Sequence, residues 1–388
     1  MAWKESDAVS QRKEFVSLAL VEGCNFSELC RRFGISRTVG YKWRKRAAQS
    51  GDRELKDRSR RPATSPGRTA ESIEQAVLRI RRKHPTWGGR KLRKRLQTLG
   101  HTVVPAASTI TAILHRHGCI SEEESEKHKP YGSFERGQPN ELWQVDFKGE
   151  FALSPKGLCY PLTILDDHSR YSLCIHACSN QKGVTVQARF RQVFDCYGIP
   201  RAIYVDNGNP WGTTHAGIRH TWFTTWLMRH DIRVIHGKPF YPQGRGKLER
   251  FHRTLKQELL QDRQFVSLKE AQSNFDPWRL MYNTLRPHES LGLDVPASRY
   301  RCSDRSFVEC RGDYQYSDRF DVRRTSRDGL IRYRGQRYRF SKAFRGENVG
   351  LAPSAADGII EVYYCRFQVA QIDERTGSID RKFHQPVC

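Results

Sequence analysis

Long apolar runs, paired cysteines and acidic charge are what this sequence is short of. No stretch approaches the ~18 apolar residues of a membrane span, so no membrane partner is expected. The opening residues, MAWKESDAVSQRKEF, lack the apolar segment of a secretory signal, and a cytoplasmic protein is the expectation. Eleven cysteines stand at irregular spacing with no CxxC pair, which argues against a disulfide framework and a zinc ribbon. Cys174, His176 and Cys178 alternate along one stretch, so strand geometry puts them on one face as ordinary half-buried residues. Asp and Glu number 42 against 67 Lys and Arg, a net charge of +25.

That excess is uneven. Residues 1–118 carry 26 basic against 10 acidic side chains. A concentrated basic third implies a polyanion as partner, and nucleic acid fits best. Residues 11–47 read as a helix-turn-helix: an amphipathic helix from Gln11 to Val21, a short helix capped by Ser27, a turn at Gly34-Ile35, and a third helix capped by Ser36. On the third helix Val39 and Trp43 are four apart and are expected to face inward. Arg37, Thr38, Tyr41, Lys42, Arg44 and Lys45 remain outside, suited to a major groove and its phosphates. Gly40 in the helix interior is a mismatch costing about 1 kcal/mol relative to Ala.

Domain boundaries follow from composition. Residues 1–48 form the first unit and 49–69, rich in Ser, Arg, Gly and Pro, a linker. Residues 70–118 form a second helix-turn-helix unit. There Glu71–Lys83 is helical and stops at His84-Pro85, TWGGRKLRKRLQTLG opens a very basic helix with Arg90, Arg93 and Lys94 as DNA candidates, and Ser108 caps a helix ending at Gly118. Residues 119–140 lack apolar periodicity and lead to a core over 141–300, with a small β domain over 301–388.

From Glu141 the period changes to two. Trp143, Val145 and Phe147 alternate with Gln144, Asp146 and Lys148, the mark of a strand with one buried face. Strands at Tyr160–Leu165 and Tyr171–Cys178, a helix over 183–197, a strand over Ile199–Val205, a helix over 219–230 and a strand over 232–235 make a mixed sheet with helices on it. Three acids stand out: Asp146 in LWQVDFKG, Asp206 where a buried strand meets Asn207-Gly208, and Glu249 in GKLERFHRTLKQE. Hard cations such as Mg²⁺ take carboxylate oxygens, and a pair of them can clamp both oxygens of a phosphodiester exchange. Arg253 and Lys256 share the helical face of Glu249 and aim at DNA phosphates. His252 beside them either touches the scissile phosphate or fills the helix face.

WQVDFKG, LDDHSR, DNGNPWG, GKLERFHRTLK and YNTLRPHESLG, in this order, resemble the signature segments of bacterial insertion-sequence transposases with a retroviral-integrase-like core. The resemblance implies an α/β fold: a ribonuclease-H-like mixed sheet core, N-terminal helix-turn-helix units and a small C-terminal β-barrel. It implies a polynucleotidyl transferase whose catalytic and metal-binding residues fall on Asp146, Asp206 and Glu249, with Asp166 and Asp167 as decoys in a strand turn. Two Mg²⁺ ions, or Mn²⁺, would serve it. Its partners would be double-stranded DNA, as element ends and target, and further copies of the chain in a nucleoid-associated bacterial assembly. Water would first free a 3′-hydroxyl at the element end, and that hydroxyl would then attack target DNA. The 43 positions from Asp206 to Glu249 exceed the interval in many integrases, and NPWGTTHAGIRH accommodates the extra length. Pro277 is expected to interrupt the helix from Ser267 to Tyr282. Two rival readings are a covalent Tyr or Ser recombinase, on the HxxR pattern His230–Arg233, and a DNA-binding regulator without catalysis.

Overall fold

The computed structural model describes residues 8–50, 55–57, 68–120, 136–212, 220–237, 246–261, 263–309 and 312–381. The chain divides into two compact units, Met1–Arg68 and Thr69–Cys388. Among the described residues no helix is long and apolar enough to cross a membrane.

The first unit is three helices: α1 (Ala8–Ala19), α2 (Phe26–Arg32) and α3 (Arg37–Ser50). Phe15, Val16, Leu29, Cys30, Trp43 and Leu55 make its core. The expected inward Val39 is instead exposed, and Gly40 takes the buried place. A Cβ there would come within 2.8 Å of Cys30 Sγ and 2.9 Å of the Phe15 ring, so the close approach of α3 to its neighbours requires glycine. The cap of α2 is Asn25 rather than Ser27, its side chain accepting from Glu28 N–H at 3.2 Å. Ser36 Oγ accepts from Val39 N–H at 3.3 Å at the start of α3, as expected.

The second unit opens with α4 (Glu71–Lys83), α5 (Gly89–Thr98) and α6 (Ala107–Arg116), packed through Val77, Trp87, Leu92, Leu96, Ile110 and Leu114. Gly89 lies so close to α6 that a Cβ would sit 2.4 Å from the Ala107 carbonyl oxygen. The N-cap of α6 is Ala106, not Ser108.

A mixed sheet follows. It consists of β1 (Leu142–Phe147), β2 (Phe151–Ala152), β3 (Leu158–Asp166), β4 (Ser172–Cys178), β5 (Ala202–Val205) and β6 (Arg233–His236). β1, β3 and β4 are antiparallel, whereas β5 joins β1 and β6 joins β5 in parallel. The helices α7 (Gly183–Tyr197) and α8 (Trp222–Arg229) cover the face that carries Trp143, Val145, Ile203 and Val205. The other face, with Leu165, Ile175 and Ala177, is covered by α9 (Gly246–Leu255) and α10 (Leu268–Thr284). This α/β arrangement is ribonuclease-H-like. The first half of β1 is buried on both faces, Gln144 as fully as Trp143, so the expected single buried face holds only toward its end. A π-helical turn, Lys256–Leu260, extends α9, an irregularity that period counting does not show. Pro277 does not interrupt α10. It lies on the exposed side, where the carbonyl that loses its donor can turn to water.

The C-terminal strands are β7 (Asp321–Arg324), β8 (Leu330–Tyr333), β9 (Gln336–Arg339), β10 (Asn348–Pro353), β11 (Ile359–Tyr364), β12 (Phe367–Asp373) and β13 (Ser378–Asp380). They pair as a five-stranded sheet, β13-β12-β11-β10-β7, and a separate hairpin, β8-β9, over one shared apolar core. Among the described residues the pairing does not close into the expected barrel. Met228 and Val234 of the sheet core pack into that C-terminal cluster, and Asp231 binds both Arg305 and Arg366 beside them.

Candidate active site

Asp146 is the fifth residue of β1, opposite Thr163 of β3. Its carboxylate accepts its own Phe147 N–H at 2.9 Å, and its main-chain carbonyl accepts Thr163 Oγ at 2.8 Å. β1 and β5 run in register with Gln144 opposite Tyr204. Two residues beyond that pair come Asp146 on one strand and Asp206 directly after the other, the same step on the same face. The sequence thus brings two carboxylates to neighbouring positions at the carboxyl edge of a parallel pair, where open α/β sheets present ligands. Asp206 Oδ1 accepts Gly208 N–H at 2.9 Å, and its carbonyl lies 3.1 Å from His236 Nδ1.

Glu249 is exposed in the first turn of α9, where the helix dipole favours an anion. Arg253 and Lys256 are exposed farther along. Lys256 comes close enough to Lys148, just past β1, to join burial in lowering the Lys148 pKa; burial is the larger cause. His252, left open between two roles by its sequence context, is half-buried, and its Nε2 lies 2.7 Å from Thr163 Oγ.

Among the described residues no three His, Cys, Asp or Glu side chains are grouped so as to hold a metal ion, and Asp146, Asp206 and Glu249 do not form such a group as they stand. The donor set suits a hard cation: carboxylate oxygens only, two of the three from neighbouring strands, with Asp146 accepting Phe147 N–H and Asp206 accepting Gly208 N–H. Cys174, His176 and Cys178 form no metal group either; burial pushes His176 down to about 4 and both thiols up.

Asp166 and Asp167 are fully buried. Asp166 accepts Asn140 N–H, Ser169 N–H and Ser169 Oγ at 2.6–2.8 Å, while burial raises its pKa. Asp167 pairs with Lys247 Nζ at 2.6 Å and accepts Gln144 Nε2 at 2.8 Å. Sequence reasoning treated Lys247 as a motif letter; an acid and a lysine 80 positions apart carry no local signal of their pairing.

Of the DNA candidates, Arg37, Thr38, Tyr41, Lys42, Arg44 and Lys45 are all exposed on α3. Tyr41 stacks on Phe26 at 4.4 Å, with the Arg44 guanidinium over both rings. On α5, Arg93 is exposed, but Arg90 pairs with Glu289 at 3.3 Å and Lys94 with Asp294 at 3.1 Å. Near them Lys91, unremarked in the sequence, is lowered to about 8 by burial and the nearby Arg286.

Comparison with known proteins gives these features a setting. Two integrase core domain models match residues 136–242 and 230–296. The model of the C-terminal domain of IS481 family transposases matches residues 320–380. A helix-turn-helix domain model matches residues 11–63, and a homeodomain-like model residues 39–114. The chain is 33% identical over 159 residues to an insertion element IS476 uncharacterized protein of Xanthomonas euvesicatoria, covering 41% of this chain and 44% of that one. It is 26% identical over 179 residues to an insertion element IS407 uncharacterized protein of Burkholderia multivorans, covering 46% of this chain and 61% of that one. The chain therefore spans only about half the length of these relatives. The magnesium-bound catalytic core of HTLV-2 integrase aligns with 42% of the chain at 17% identity and a TM-score of 0.33, too low to add to the strand topology. The matches thus comprise integrase core domains, an IS481 family transposase C-terminal domain and helix-turn-helix domains, with similarity to insertion-element proteins over part of their length.

Proposed function

We propose that this chain is a transposase that cuts and joins DNA at the ends of a mobile element, with Asp146, Asp206 and Glu249 as its metal-binding catalytic residues. The observation that supports the reading is the β1–β5 register, which pairs Gln144 with Tyr204 two residues before Asp146 and Asp206, with Glu249 exposed in the first turn of α9. Divalent Mg²⁺ or Mn²⁺, two ions in this reading, would activate the attacking oxygen and stabilise the leaving one. Asp146 and Asp206 supply oxygen donors from a rigid sheet edge, and Glu249 supplies the third from α9. Arg253 and Lys256 hold DNA phosphates beside the reacting one. Opening the ester with water leaves a 3′-hydroxyl, and its attack on a target phosphodiester joins one strand while releasing another, so no external energy source is needed.

The exposed face of α3 would read element-end DNA, with α5 adding phosphate contacts through Arg93 and, on release from their acidic partners, Arg90 and Lys94. The C-terminal unit supports a further DNA contact: Arg332 and Arg337 face each other across the β8–β9 hairpin on its exposed side, where like charges oppose one another until an anion lies between them. β8 also lies beside β7, and β9 beside β13, which supports a barrel-like arrangement of the two sheets. Joining two element ends calls for at least two copies of the chain.

A covalent recombinase is disfavoured, because His230 of the HxxR pattern is buried among the Trp226 and Phe307 rings. The test is labelled element-end DNA incubated with the full chain and Mg²⁺. Metal-dependent nicking that disappears in Asp206→Asn is expected. Nicking retained in that variant, or a protein–DNA covalent adduct, would reject the triad.

A further inference from the structure

We propose that Lys247 and His252 are positioning residues that tether the Glu249 helix at two points to the strand bearing Asp146. Each tether runs through one residue contributed by β3 or the turn after it. At the first, Gln144 Nε2 and Lys247 Nζ both donate to the Asp167 carboxylate, at 2.8 and 2.6 Å. At the second, Thr163 Oγ donates to the Asp146 carbonyl at 2.8 Å and meets His252 Nε2 at 2.7 Å. A hydroxyl has one hydrogen. Thr163 gives it to Asp146, so the hydrogen between Thr163 and His252 belongs to the histidine.

The spacing makes the two tethers one device. Gln144 and Asp146 are two residues apart on one face of β1, about 6.6 Å along a strand. Lys247 and His252 are five apart on α9, about 7.5 Å along a helix. Lys247 lies two residues before Glu249 and His252 three after it, so the two anchors bracket the third carboxylate on α9. Glu249 itself stays exposed. A buried ion pair and a threonine–histidine bond thus keep the backbone of the third carboxylate in place while its side chain remains available. Burying Lys247 and Asp167 together gives up solvation of both charges, and removing either one leaves the other buried and uncompensated.

This inference rests on the proposed triad, and its test separates the two. Mn²⁺ binding to the full chain is measured by electron paramagnetic resonance, and nicking of element-end DNA is followed against Mg²⁺ concentration. His252→Leu removes the donor, while His252→Gln keeps an N–H at a comparable reach. Residues that orient metal ligands typically cost roughly 10–100-fold in metal affinity when removed. The expected result is a loss of that size for His252→Leu in Mn²⁺ affinity and an equal rise in the Mg²⁺ needed for nicking. Metal-free DNA binding is unchanged, and His252→Gln recovers most of the loss. Thr163→Val should behave as His252→Leu does. Amide exchange over 246–255 should quicken in both impaired variants. Wild-type metal dependence in His252→Leu overturns the tether, as does equal impairment of the Leu and Gln variants. Retained Mn²⁺ binding and nicking in Asp206→Asn would instead overturn the triad, and the tether with it.

Discussion

The two N-terminal three-helix segments, α1–α3 and α4–α6, carry one sequence signal, a cation-rich helix, and use it differently. In the first, α3 leaves Arg37, Lys42 and Lys45 in solvent. In the second, Arg90 and Lys94 of α5 close on Glu289 and Asp294, nearly 200 positions away. A basic helix is free for a polyanion only where no acidic segment of its own chain reaches it first. These pairs are half-exposed, each worth at most about 1 kcal/mol, so a DNA phosphate can compete for them.

The sharpest way to break the comparison lies in the glycine at the start or middle of each unit's basic helix. Gly89→Ala drives a Cβ to 2.4 Å from the Ala107 carbonyl oxygen, an obstacle of main chain that cannot swing aside. A loss of about 3 kcal/mol is expected in thermal unfolding, at the upper end of overpacking costs. Gly40→Ala meets the Cys30 and Phe15 side chains, which can shift, and it gains about 1 kcal/mol of helix propensity. Its net change should stay within about 1 kcal/mol. Equal losses at the two positions would mean that the units are packed alike.

Acid should separate the units next. Residues 1–68 contain no histidine, whereas the compact unit Thr69–Cys388, which includes the second of these helical segments, holds His176, pushed down to about 4 by burial and then by Arg189, and His288, also lowered chiefly by burial. A histidine whose folded pKa lies below 6.5 is protonated first in the unfolded chain. The stability it confers is present above about 6.5 and is lost as pH falls toward 4. Thermal midpoints of the full chain should therefore fall over that window, and His176→Gln should flatten the fall. A midpoint independent of pH in that range would remove the histidine contribution.

The smallest effect is in salt dependence. Deleting one cation that neutralises a DNA phosphate lowers the slope of log affinity against log salt by about 0.9. Lys42→Ala should show that full step in DNA titrations, while Arg90→Ala shows less, because Glu289 already holds the guanidinium. Glu289→Gln should steepen the slope. Identical steps for Lys42 and Arg90 would show that DNA displaces Glu289 completely.

Local patterns made much of the fold legible. Helices α4 and α7 have the bounds expected, because a Pro after one and a Gly after the other stop the chain locally. Expectations failed where a distant partner decides. Gly40 looked like a defect until Cys30 and Phe15 were seen against it, and Gln144 looked solvent-facing until Asp167 was seen to hold it. Ser27 and Ser108 are good caps in isolation, but each helix is capped two residues earlier, at Asn25 and Ala106.

What the sequence settled alone was its chemistry: a heavily basic chain, hard oxygen donors in three separate phrases, and strand and helix periods dense enough to place each phrase on an element. Which donors stand next to each other was a matter of strand register, and which cations stay in solvent was a matter of what folds against them. The first kind of information is local, carried by neighbours three or four residues apart. The second arises only when segments such as 144, 167 and 247 are buried together, since no property of any one of them names the others.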